Sequence, residues 1–319
     1  MMKSKRHVIV TGGAGFIGSH IASRLLTIGH EVTILDDLST GRLENLPDGA
    51  TFIKIDLSQQ DAYGKLGELS GDAVFHLAGQ SSGEASFYNP WHDFGSHVIS
   101  TFLLLKWCKR KEIGRLMYAS SMSIYGDPVY LPVDEQHPQQ PKTFYGAGKI
   151  AAEAYIKLYQ NLGINTTIFR LFSVYGPGQD LGNKMQGMVS IYLSYMLSGQ
   201  PVVVKGSKDR YRDFVYVEDV VQAWLSAWDA SQSYGKTYNV ASGKETTVEH
   251  LIEVLKGSVG RQDYPIEYRE GTPGDQFGVV GDVSLITRDL NWQPKIDLKT
   301  GLNKMVSCEK RRMESGRVP

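Results

Sequence analysis

HVIVTGGAGFIGSH occupies residues 7–20, and its reading decides the fold. HVIVT (7–11) has the short apolar run of a buried strand. Residues 15–28 carry helical spacing and stop before Gly29. Between them Gly12, Gly15 and Gly18 recur every third residue, and Gly13 also satisfies G-x-G-x-x-G. A bare match is weak, because a tight turn with close helix packing gives the same glycines. Here a strand precedes it, a helix follows, and an acidic residue lies about 20 positions on, which is the context that gives the motif meaning. Glycines let the backbone turn sharply and approach a pyrophosphate, which the helix N-terminus then holds. Asp36 closes the second strand, EVTILD (31–36). Its carboxylate suits an adenosine ribose and repels a 2′-phosphate, favouring NAD over NADP. Asp37 offers the same chemistry. Arg42 is the one nearby cation suited to a phosphate, and it is expected to be solvated.

Working outward, TFIKI (51–55), AVFHLA (73–78), RLMYASS (115–121) and NTTIFRLF (165–172) read as further strands. Helical patterns fill 91–112 and 143–162. Strands alternating with helices predict right-handed crossovers and a doubly wound parallel sheet of the Rossmann type, an α/β fold. The near-continuous apolar runs suit strands covered on both faces. After residue 175, loops such as YGPGQDLGNK, KGSKDRYRD and REGTPGDQ separate shorter elements. The expected division is a dinucleotide-binding domain over 1–174 and a smaller, interleaved, loop-rich substrate lobe over 175–319. Some segments of that lobe are expected to return to the sheet.

The chain has 319 residues, with 34 Lys+Arg against 34 Asp+Glu, so no net field favours nucleic acid or an acidic membrane. Cys108 and Cys308 lie far apart with no Cys or His at metal spacing, which reads as reduced thiols, no metal site and a cytoplasmic protein. The apolar run near the N-terminus is too short for a signal peptide, and no stretch approaches the roughly 18 apolar residues of a membrane span.

TFYGAGKIAAEAY (143–155) holds the candidate chemistry. Tyr145 and Lys149 are four apart and share a helix face. Two readings compete: a tyrosine packed on a lysine stem, or a general base beside an ammonium. A phenol with pKa about 10 is a poor base at neutral pH. A neighbouring cation favours its ionised form.

Nine segments in order, TGGAGFIG, LDD, KID with Asp56, HLAGQ, YASSMSIYG, YGAGK, RLFSVYGPGQ, RDFVYVEDV and LNWQPK, resemble the extended short-chain dehydrogenase/reductases that act on nucleotide sugars, the NAD-dependent epimerase/dehydratase family. The resemblance implies Ser121, Tyr145 and Lys149 as catalytic residues. It implies NAD as cofactor, held by Gly12, Gly15, Phe16, Ile17, Gly18, Asp36, Asp37, Asp56, Leu57, Leu77, Ala78 and Gly79 together with Tyr145 and Lys149. Lys149 would bond the nicotinamide ribose, and with the nicotinamide ring would lower the Tyr145 pKa. A nucleotide-diphosphate sugar is the implied substrate, met by Gln80, Ser123, Ser173, Val189 and Arg212. Arg212 is the phosphate ligand, steadied by Asp213, unless the two form only a structural ion pair. Ser123 is equally readable as a satisfied loop serine. Ser120 is expected to bond the local backbone, and His76 to be a packed strand-end histidine. The helical patterns at 91–112 and 145–163 resemble the pair that forms a four-helix bundle in homodimeric relatives.

Four positions depart from the family pattern. His97 stands for an Asn, Ser173 for an Asn, Gly148 for a small Ser, and Thr272 for an Arg that Arg269 would have to replace. Met122 and Ser123 follow Ser121 where dehydratases carry Asp and Glu, so elimination lacks its acid and base. The leading reading is a nucleotide-sugar 4-epimerase working through a 4-keto intermediate. The alternative is a net 4-dehydrogenase or 4-keto reductase using the same three residues. A catalytically silent nucleotide sensor on this fold is disfavoured by the intact triad.

Overall fold

The computed structural model describes residues 4–271 and 274–315. Six strands lie where the apolar runs predict them: β1 (His7–Thr11), β2 (Glu31–Asp36), β3 (Thr51–Lys54), β4 (Ala73–His76), β5 (Arg115–Ser121) and β6 (Asn165–Leu171). A seventh, Lys236–Val240, returns from the second half of the chain to pair with β6. The sheet order is Lys236–Val240, β6, β5, β4, β1, β2, β3. All pairings are parallel. Strand order reverses between β1 and β4, so a crevice opens there beyond the carboxyl ends of the strands.

Alternation along β1 shows why both faces are covered. Val8 and Val10 pack with Ile21, Ala22 and Leu25 of helix α1 (Phe16–Thr27) and with Trp224 and Trp228 of the helix Val217–Trp228. Ile9, between them, faces the opposite core with Leu104, Leu105 and Ile156. All three β1 residues are fully buried. Each contributes about 1.5–3 kcal/mol relative to exposure, which accounts for the position of this strand at the sheet's centre.

The pattern expected as one helix over 91–112 is interrupted. Pro90–Phe94 is α-helical, Gly95–Ile99 forms a wide π turn, and Ser100–Arg110 resumes the α-helix. Backbone angles stay helical through both junctions, so the rod is continuous and the turn absorbs the difference in repeat. Such turns gather at functional sites. Here it carries His97 into the interior, at 1% exposure.

The second half builds its own core around Tyr175, Leu193, Val202, Leu251 and Leu302. Three two-stranded sheets brace it. Among the described residues no helix is long and apolar enough to cross a membrane.

Candidate active site

The glycine turn is held by close approach. Gly12 has φ +69°, and a Cβ there would lie 2.6 Å from the Ala78 nitrogen. A Cβ at Gly18 would lie 2.2 Å from the Gly12 carbonyl. The turn therefore seats directly against the 77–78 loop and α1. Asp36 caps it from β2: Oδ2 accepts from Ala14 N at 3.0 Å and Oδ1 from Leu38 N at 2.9 Å. Each oxygen keeps a lone pair for a further donor.

These groups border one cleft of about 820 Å³. Gly12, Gly15, Phe16, Ile17, Gly18, Asp36, Asp37, Asp56, Leu57, Leu77, Ala78 and Gly79 line it. So do Ser121, Tyr145 and Lys149, together with Gln80, Ser123, Ser173, Val189 and Arg212. Arg42 is not free in solvent. Its Nη2 donates to Asp180 at 2.6 Å, spanning the loops after β2 and after the short strand Ser173–Tyr175.

β5 ends at Ser121, and Thr143 caps the helix Phe144–Gln160 by accepting from Gly146 N at 3.0 Å. Those two element ends bring Ser121 beside Tyr145, where the serine hydroxyl favours the ionised phenol. Ser121 Oγ also accepts from Ser123 N at 3.2 Å. Tyr145 is 8% exposed and Lys149 4%. Burial pushes the phenol up to about 12; the Ser121 hydroxyl works against that rise and the Asp93 charge adds to it. Burial pushes Lys149 down to about 7, opposed by Asp93 and Glu153. The expectation that the ammonium lowers the phenol therefore does not hold for the chain alone. Lys149 Nζ lies 5.7 Å from the Tyr145 ring centroid and donates to the Ala119 carbonyl at 2.8 Å, so desolvation prevails.

The helix that carries the pair is locked to the sheet by Glu153, one turn beyond Lys149. Its carboxylate accepts from Ser120 Oγ at 2.6 Å and from Arg170 Nε and Nη2 at 3.1 and 2.9 Å. Ser120 thus bonds a buried carboxylate rather than the local backbone. His76 is packed as expected: its ring nitrogens meet Thr11 Oγ1 at 2.7 Å and Thr101 Oγ1 at 3.0 Å.

Elsewhere in the cleft wall Arg212 pairs with Asp275, not with Asp213. Successive residues of extended chain point to opposite faces. Asp213 turns inward, accepting from Ser242 N and Oγ, Gly243 N and Gly281 N. Arg210 also pairs with Asp275, so two guanidiniums share one carboxylate and this stretch keeps an excess positive charge. Arg269 sits on the strand Ile266–Arg269, bonded to Glu267 at 3.0 Å, and is absent from the cleft wall. Thr272 lies outside the described residues. Asp275, Asp93 and Glu153 escaped the sequence reading. Only Asp275 left a trace there, as the last residue of GTPGD.

The fold and the cleft define an α/β protein built to hold a dinucleotide at the switch point of its sheet. The residues present fit that group: a glycine turn too tight for side chains, and a carboxylate with spare acceptors at the end of β2. The model of the NAD dependent epimerase/dehydratase family matches residues 8–241. The chain is 36% identical over 305 residues to the UDP-glucose 4-epimerase of Mycolicibacterium smegmatis, covering 93% of this chain and 96% of that one. It superposes on the Thermotoga maritima UDP-glucose 4-epimerase solved with UDP-glucose at TM-score 0.92, with 32% identity over 96% of this chain and 99% of that one. The Thermus thermophilus UDP-glucose 4-epimerase solved with NAD gives TM-score 0.88 and 33% identity over 95% and 98%. The chain belongs to the NAD-dependent epimerase/dehydratase family, and its cofactor is NAD.

Proposed function

We propose that the protein is a nucleotide-sugar 4-epimerase that inverts C4 through a 4-keto intermediate. The observation that carries this is the meeting of Ser121, Tyr145 and Lys149 in one cleft whose wall also includes Arg212. The similarity to 4-epimerases over nearly the full chain supports it.

When bound, NAD supplies the two-electron acceptance and return that turn C4 from alcohol to ketone and back. The glycine turn, Asp36 and the 77–79 loop would hold it, with Asp36 for the adenosine ribose and Lys149 for the nicotinamide ribose. Tyr145 takes the proton from the C4 hydroxyl and gives it back. Ser121 orients that oxygen from its place beside the phenol. A phenol held near 12 by burial is a weak base. The positive charge brought by the oxidised cofactor and a protonated Lys149 both favour the phenolate. Arg212 binds the diphosphate, and Asp275 must release it to do so. A guanidinium forks onto phosphate oxygens as it does onto a carboxylate. Gln80, Ser123, Ser173 and Val189 border the sugar and nucleotide. We read the 1–174 portion with the returning strand as the cofactor lobe and 175–319 as the substrate lobe of a cytoplasmic homodimer.

The test is single-turnover reduction of bound NAD by UDP-glucose and UDP-galactose, with product analysis at C4. Inversion at C4 without net consumption of added NAD is expected. Tyr145→Phe should slow reduction by at least about 10²-fold, the lower range for a positioned base, with NAD still bound. A Phe variant that reduces NAD at the wild-type rate overturns the mechanism. Net oxidation without inversion overturns the epimerase assignment.

A further inference from the structure

Asp93 and His97 form a buried acid–imidazole pair behind the Tyr145–Lys149 face. Asp93 is 1% exposed and so is His97. His97 Nε2 stands 3.7 Å from Asp93 Oδ1, which accepts from Gln80 Nε2 at 2.8 Å. Among the described residues, Asp93 Oδ2 and both ring nitrogens of His97 have no hydrogen-bond partner. The His97 ring meets the Tyr145 ring edge-on at 5.2 Å between centroids.

Two glycines make room for the pair. A Cβ on Gly79 would lie 2.6 Å from His97 Cε1. A Cβ on Gly148 would lie 3.2 Å from His97 Cβ and 3.4 Å from Asp93 Oδ2. The departures at 97 and 148 therefore meet in space, and a Cβ at 148 would press on His97 and touch Asp93.

Lys149 needs a counter-charge. Its surroundings contain two carboxylates, Asp93 and Glu153. Glu153 is already bonded by Arg170, Ser120 and Lys157. Asp93 is the one with an uncommitted oxygen. Other titratable groups facing this pocket are His76 on β4, Tyr118 on β5, Tyr145 on the same helix as Lys149, and His92 beside Asp93. Both histidines, 76 and 97, are held below their usual range by burial, so neither competes as a cation.

We propose that Asp93 is a positioning residue that keeps Lys149 in its ammonium form, with His97 as the neutral spacer between that carboxylate and the Tyr145 ring. The proposal rests on Lys149 and Tyr145 being the catalytic pair. Removing a negative charge eases loss of every proton near it, whichever of the two groups gives it up. Both limbs of the pH–rate profile should therefore move to lower pH in Asp93→Asn.

The decisive reading needs no substrate. The pH dependence of Lys149 acetylation by acetic anhydride is followed by peptide mass spectrometry in the NAD-free protein, normalised to exposed lysines. The midpoint should fall by about one pH unit or more in Asp93→Asn. Asp93→Glu should restore it, and His97→Asn should leave it in place. If Asp93→Asn fails to fold, Asp93→Ser removes the same charge and is read the same way. An unchanged midpoint in the charge-removing variant overturns the proposal. So does a fall in His97→Asn equal to that in Asp93→Asn, because the charge would then reside on His97. Failure of the epimerase reading would leave these midpoints untouched, so the two claims fail separately.

Discussion

Lys149 donates to the Ala119 carbonyl at 2.8 Å, and its Nζ stands 5.7 Å from the ring of Tyr145 one turn earlier. The protein therefore holds a lysine in its interior on a backbone acceptor, with the Asp93 and Glu153 charges favouring its ammonium form, and stability bears the cost. Lys149 is pushed down to about 7 from 10.5. Between those values the unfolded chain binds a proton that the folded chain does not, so stability rises with pH across that window. Below about pH 7 both states are protonated and the penalty is full, at most roughly 4–5 kcal/mol at 1.36 kcal/mol per unit. Lys149→Met should raise stability of the NAD-free protein. The gain should be greatest below pH 7 and shrink as pH climbs toward 10. Urea unfolding across pH checks it, and a gain that grows with pH would be wrong in sign.

Asp36 and the Arg42–Asp180 pair together should set cofactor choice. The Asp36 carboxylate faces the cleft with spare acceptors, while Arg42, a nearby cation suited to a 2′-phosphate, is paired 2.6 Å from Asp180. Asp36→Ala should weaken NAD by about 10-fold or more, the scale of a lost hydrogen bond to a charged group. Adding Asp180→Ala should free Arg42 and improve NADP binding. Calorimetric titration of both cofactors into apo-protein decides this. Wild-type protein that binds NADP as tightly as NAD sinks the assignment.

Glu153→Gln should cost stability without touching the cleft. The Glu153–Arg170 pair is almost wholly buried, with both side chains 2% exposed. Removing one charge leaves the other uncompensated, which costs about 3–5 kcal/mol. Denaturant midpoints of the two proteins compare directly. A change under about 1 kcal/mol would mean that Arg170 finds sufficient partners in Tyr125 and the Glu135 carbonyl.

What the sequence discloses depends on how local each determinant is. β1, β2 and β5 were readable to the residue because their apolar runs are continuous and end at glycines or polar turns. The strand Lys236–Val240 was not, since KTYNV includes Asn239, fully buried and bonded to the Val133 carbonyl. Only pairing with β6 makes that stretch a strand. The twenty expected cleft residues all line one cavity, because strand-end motifs converge by topology. The partners were less legible. Arg212 was assigned to its neighbour Asp213, yet its carboxylate comes from 63 residues away. Asp93 carried no signal at all, because its significance lies in an inward π turn and in Gly148 on another helix.

The last prediction concerns self-association. Phe102 is 38% exposed on the helix Ser100–Arg110, and Tyr155 and Leu158 are 37% and 59% exposed on the helix Phe144–Gln160. Leu162, just past that helix, is 54% exposed. Tyr155, Leu158 and Leu162 follow helical spacing on one stripe, and Phe102 meets Tyr155 with centroids 5.6 Å apart. Two neighbouring helices thus present one apolar face, which a two-fold partner would cover with the same face. A stable interface needs about 800 Å² from each side, which a face across two helices can provide. Light scattering at micromolar concentration should give twice the chain mass of 35.4 kDa. The double variant Phe102→Glu, Leu158→Glu should give the single mass with NAD still bound, because neither residue lines the cleft. A wild-type protein at the single mass ends the proposal. A double variant that still runs as a dimer would instead move the interface to another face.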